Sequence, residues 1–182
     1  MFKRILVNSI IILTVYLVLP SQIFSQSYSY EGTQVCGMCH HSEKSGNQLK
    51  IWQDSKHAQA FKTLQTAAAD KIAAEKGFKT KAAETKECLK CHVSGYGIDK
   101  ALVGAKFKME DGVQCETCHG PGSGYKNMAV MKVKADAEKK GLMANADPAK
   151  LCTTCHNSGS PFFKGFKYDE MWKKIQHPEP KG

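Results

Sequence analysis

Apolar residues first gather in a run from Ile5 to Leu19, interrupted only by Asn8, Ser9 and Thr14, preceded by Lys3 and Arg4 and followed by the short stretch Pro20 to Ser25. A positive start, a short apolar run and a small-residue exit form the pattern of a secretory signal, and the run is shorter than the roughly 20 residues a membrane-spanning helix needs. Cleavage after Ser25 leaves residues 26–182 as a single domain; an uncleaved anchor is the alternative, and only then does the chain meet a membrane.

Beyond the leader the pattern is helical. After a loose Ser/Tyr/Gln-rich arm (26–30), Leu49, Trp52, Ala60, Phe61, Leu64, Ala68 and Ile72 recur at the spacing of one helix face. This predicts one long helix or two abutting ones over 47–76, stopped by Gly77. Shorter helices are expected over 79–87 and 125–140, the latter closed by Gly141. Another opens at Asp147-Pro148, an N-cap with proline in the first turn, and a last one is capped by Asp169 and runs to Ile175. Residues 98–114 read as loop, with weak strand character at 101–103, and Ser94 to Gly97 and Gly120 to Gly122 read as turns. Nothing alternates well enough to build a sheet. The expected fold is mostly α.

The eight cysteines change the picture. They fall in four pairs, Cys36/Cys39, Cys88/Cys91, Cys115/Cys118 and Cys152/Cys155, and a histidine follows each pair directly: His40, His92, His119 and His156. A zinc half-site or a redox dithiol also uses Cys-x-x-Cys, but neither needs that histidine. Four repeats of Cys-x-x-Cys-His behind an export signal predict four covalently bound haems c, each held by two thioethers and by one histidine on the iron. The chain has too few residues for each haem to own a domain. The haems must therefore share one compact core and pack closely.

The formal charge of +9 then loses most of its meaning. Removing the leader takes Lys3 and Arg4 with it, and every haem brings two propionates for the remaining lysines to balance. No nucleic-acid-binding motif accompanies the basic composition.

The second axial position decides the chemistry: a histidine there makes a low-spin electron carrier, a methionine raises the potential, and a vacancy admits ligands. The chain has seven histidines. Four are used in the motifs, so His41, His57 and His177 remain for four irons. His57 sits on the apolar stripe and His177 follows the last helix; both are candidate ligands. His41 cannot cross its own haem, since His40 binds from the same side, but it could serve a neighbouring haem. Met128 and Met131 share a helix face and are further candidates, with core packing as their other reading. One haem at least lacks a histidine partner. A haem without that second histidine is methionine-bound or open.

Several longer words frame the motifs: Trp52 with His57 and Ala58, Cys91 through Gly97, Gly112 through Gly122, and Tyr168 through Met171 ahead of a late histidine. In this order the chain resembles the tetrahaem cytochromes of the cytochrome c554 family, which accept electrons from hydroxylamine oxidoreductase in ammonia-oxidising bacteria. The resemblance implies an α-helical fold with two pairs of stacked haems, His57 as sixth ligand of the third haem, His177 as sixth ligand of the fourth, a five-coordinate second haem, and a donor like hydroxylamine oxidoreductase. In that family the first haem takes its second histidine from just after the Gly-Pro-Gly turn; here residues 123–131 contain none.

The function expected is that of a periplasmic or otherwise exported electron carrier, moving electrons between a multihaem oxidoreductase and a membrane or soluble acceptor, and not of an enzyme. Two alternatives stand beside it: a reductase of a small ligand such as nitric oxide at an open haem, and a subunit of an extracellular haem filament. Arginine is absent once Arg4 is removed, which disfavours an oxyanion reductase, since oxyanion sites favour its bidentate fork.

Overall fold

The computed structural model describes residues 27–144 and 146–180; the expected leader and its expected cleavage site lie outside them. Ten short helices carry the chain: α1 (Thr33–Gly37), α2 (Gln48–Gln53), α3 (Ala60–Leu64), α4 (Ala67–Glu75), α5 (Lys86–His92), α6 (Cys115–His119), α7 (Met128–Met131), α8 (Lys134–Lys139), α9 (Pro148–Thr153) and α10 (Tyr168–Trp172). No sheet forms among the described residues, and no described helix is long and apolar enough to cross a membrane.

The apolar stripe over 47–76 is not continuous helix. It breaks at 54–59 and again at 65–66, giving α2, α3 and α4. The first break is held from outside: Trp52 donates its indole N–H to Val113 O at 2.7 Å, and Val113 N–H donates to His57 O at 3.0 Å. His57 therefore lies in the turn ahead of α3. The second break is capped locally, with the Thr66 hydroxyl accepting from Ala69 N–H. Gly112 explains how Val113 comes so close: its φ is +73°, and a Cβ there would lie 2.6 Å from His57 O, so only glycine fits.

The other differences also come from ties that local pattern does not carry. The helix expected over 79–87 is a 3₁₀ turn (Ala82–Glu84) followed by α5, because the buried Thr85 hydroxyl turns back to Lys81 O at 2.8 Å. The stretch over 125–140 splits into α7 and α8. At the last helix Lys167, not Asp169, occupies the N-cap, and the regular turns end at Trp172. The arm is not loose at its end: Tyr30 forms an isolated parallel bridge with Val103, donating to Leu102 O at 2.8 Å and accepting from Gly104 N–H at 2.7 Å. Asp147 caps α9 as expected, accepting from Ala149 and Lys150 N–H.

The polypeptide's own core is thin. Leu64, Leu89 and Val93 pack with Ala73 and Ala82 between α3, α4 and α5, edged by Phe61, Phe78 and Met109. Most other buried apolar residues are alanines. Full burial of a large aliphatic side chain contributes about 1.5–3 kcal/mol, whereas fixing each residue's backbone costs roughly 1–2 kcal/mol. A core of this size does not order a chain of this length without further apolar mass.

Candidate haem-attachment sites

Each motif is built on one helical turn. In α5 and α6 all three functional residues lie inside the helix or at its end. In the first and fourth motifs Cys36 and Cys152 lie in α1 and α9, and the turn just beyond supplies the second cysteine and the histidine, with His40 N–H bonding Cys36 O at 3.0 Å and His156 N–H bonding Cys152 O at 2.9 Å. A helical turn puts residues i, i+3 and i+4 on one face, so two sulfurs and one imidazole face the same way at every site.

The sulfurs order the sites in space. Cys36 and Cys115 are close enough to perturb each other, as are Cys91 and Cys155, while Cys118 feels the nearby Cys152 and Cys155. The sites therefore run first, third, fourth, second. Burial pushes the thiols of Cys88 and Cys152 up, and takes those of Cys91 and Cys118 to about 11, with the neighbouring sulfurs adding to both. Cys115 departs from this: hydrogen bonding with Cys36 holds its thiol down. Among the described residues no three histidines, cysteines or acids converge as a metal-holding group.

The histidines meet in pairs. The His57 and His156 rings have centroids 6.1 Å apart, and those of His119 and His177 are 5.7 Å apart. Two imidazoles bound to opposite faces of one metal, each through a bond of about 2 Å, place their centroids roughly 6 Å apart. Both pairs have about that spacing, so these four residues would suit a haem iron held between the rings of each pair. Burial lowers the pKa of His57, with His156 adding to it, and takes His119 to about 4, with His177 and then His40 contributing. Both rings are held neutral, the form that binds iron.

The partners differ from those the family resemblance implies. His57 has its ring beside that of His156, the fourth motif's histidine, and His177 beside that of His119, the third's. The turn ahead of α3, pinned by Val113, delivers His57 to the fourth site. The segment after α10 is tied instead to the first motif's loop: Gln48 Nε2 donates to Pro178 O at 3.0 Å, and Gly46 passes so close to Pro178 that a Cβ would lie 2.8 Å from its carbonyl oxygen. That anchor holds His177 on the side of the first and third sites.

The remaining candidates are placed separately. His41 is exposed, with Nδ1 bonded to Gly37 O at 2.9 Å. Met128 is 62% exposed on α7. His92 Nδ1 is hydrogen-bonded to Ala60 O at 2.9 Å, which leaves Nε2 as the nitrogen that would ligate a metal. Sequence reasoning missed three supporting residues. Phe166 stacks on His156 with centroids 5.1 Å apart. Gln48 adjoins His40 with a buried amide oxygen that has no hydrogen-bond partner. Glu116 lies buried inside the third motif. Only Glu116 had a visible signal, as the sole acid between the two cysteines of any motif.

Residues 35–120 match the model of the family described as cytochrome c554 and c-prime. Cytochrome c-554 of Nitrosomonas europaea is 28% identical over 184 aligned positions, which cover 81% of this chain and 73% of that protein. No solved structure matches this chain.

Proposed function

We propose, from the premise that this chain is a c-type cytochrome of the cytochrome c554 family, that it is an exported electron carrier holding four haems c and passing electrons between a multihaem oxidoreductase and a second redox partner. Covalent haem and haem electron transfer come with the family; the number of haems, the partners and the compartment are our reading. The observation that carries it is the two pairs of neighbouring histidine rings, with centroids 6.1 and 5.7 Å apart. When bound, haem supplies a one-electron centre whose geometry changes little between its two states if both axial positions are filled.

The chain's residues do the rest. Cys115, Cys118, Cys152 and Cys155 hold the two central sites, while His119 with His177 and His156 with His57 would fill both faces of each. Cys36, Cys39 and His40 hold the outer site at one end, and Cys88, Cys91 and His92 the outer site at the other. Adjacent attachment sulfurs keep neighbouring sites close, and that closeness makes a path from one surface to another.

Intact mass under denaturing conditions, together with a reductive titration, tests this. The expected result is an increment of four haem masses and an uptake of four electrons per chain. A smaller increment in mature protein removes the tetrahaem reading. Full loading with steady turnover of nitric oxide would favour the enzyme instead.

A further inference from the structure

The two residues between the cysteines differ among the motifs: Gly37-Met38, Leu89-Lys90, Glu116-Thr117 and Thr153-Thr154. Glu116 is 2% exposed. Its Oε1 accepts from Glu31 N–H at 2.8 Å and Gly122 N–H at 2.6 Å, and its Oε2 from Gly32 N–H at 2.8 Å and Glu31 N–H at 3.0 Å. Every partner is a donor, so the group sits there as a carboxylate. Among the described ion pairs none includes Glu116; the nearby Lys126 is 2.7 Å from Glu31 instead. A buried anion met by backbone N–H donors thus lies in α6 between Cys115 and Cys118, close enough to act on Cys36 of the first motif. At the far end of the row Lys90 occupies the second motif, where its charge acts on Cys91.

From this we infer, resting on the haem-carrier reading, that Glu116 is a positioning residue for the electron itself: its fixed charge favours the ferric state at the third site and, more weakly, at the first. Electrons then settle toward the fourth and second sites, which gives the row a direction. The bland reading is that Glu116 only staples the arm to the Gly-Pro-Gly turn, where a Cβ on Gly122 would come 2.9 Å from Oε1. The staple and the charge are separable.

The test is a potentiometric titration of haem-loaded protein, resolved haem by haem by paramagnetic NMR. In the unaltered protein the haem on Cys115 and Cys118 should reduce after the one on Cys152 and Cys155, the like-ligated comparison; the reverse order overturns the inference without requiring any variant to fold. In Glu116→Gln the ferric-to-ferrous ratio of the third haem at fixed potential should fall about tenfold, a midpoint rise of about 59 mV for one electron. Glu116→Asp should keep the original midpoint. Gln114→Leu breaks the adjoining tie of Gln114 Oε1 to Thr33 N–H at 3.1 Å and leaves the charge alone; its midpoint should not move. An unmoved third haem in Glu116→Gln, or an equal rise in Gln114→Leu, reduces Glu116 to a staple. Absence of four haems in unaltered protein would instead sink the reading on which the inference rests.

Discussion

The arm and the third motif contrast with the chain beyond Asp147. In the first region buried polar groups lock distant segments together: Gln114 holds Thr33, Glu116 holds Glu31, Gly32 and Gly122, and the Ser94 hydroxyl meets both Thr117 and Gln114 N–H. In the second, α9 and α10 bury no side chain. What places that region, besides the anchor of Pro178 on Gln48, is the meeting of rings, His57 with His156, Phe166 with His156, and His119 with His177. One region is ordered by the polypeptide. The other is arranged around positions where haem belongs, so its stability should follow haem attachment.

The largest effect should come from removing the fourth attachment. Replacing Cys152 and Cys155 with alanine should lower the intact mass by one haem and expose residues 146–180 to protease and rapid hydrogen exchange, while α3 to α5 stay protected. Equal protection in both regions would erase the contrast. Next comes Leu64→Ala, which truncates the polypeptide's own core and should cost about 2–5 kcal/mol. It should lower the denaturant midpoint of the α3–α5 region and leave every haem attached.

Axial ligands sharpen the comparison without dismantling either region. His57→Ala should turn the haem on Cys152 and Cys155 high-spin, and His177→Ala the one on Cys115 and Cys118, as read by electron paramagnetic resonance. The opposite assignment would restore the partners implied by the family. In unaltered reduced protein carbon monoxide should bind at the second haem, at His92. The smallest effect is expected from Asp147→Ala, which removes the cap of α9 and should cost about 1 kcal/mol in thermal unfolding.

Much of the site was legible because it is local. Cys-x-x-Cys-His needs one helical turn, and one turn is what the periodicity of a short segment encodes. The cap at Asp147 was legible for the same reason. The breaks around His57 were not: they depend on Trp52 and on Val113, far along the chain, and the local residues would accept a continuous helix. The partners of His57 and His177 escaped for the same physical cause, since the turn held by Val113 and the anchor of Pro178 on Gln48 set them through tertiary contacts. The Tyr30–Val103 bridge shows this at its smallest scale, one pair of backbone bonds between segments that separately read as loose.

The anchoring of Pro178 on Gln48 has a consequence in time. A chain emerges N-terminus first, so His119 is available well before His177, and His57 waits for His156. The third site is thus the last to receive both of its rings, after the fourth motif has already appeared. Docking of the C-terminal segment onto the loop of the first motif joins an early part of the chain to a late one, and acts as the closing latch of assembly.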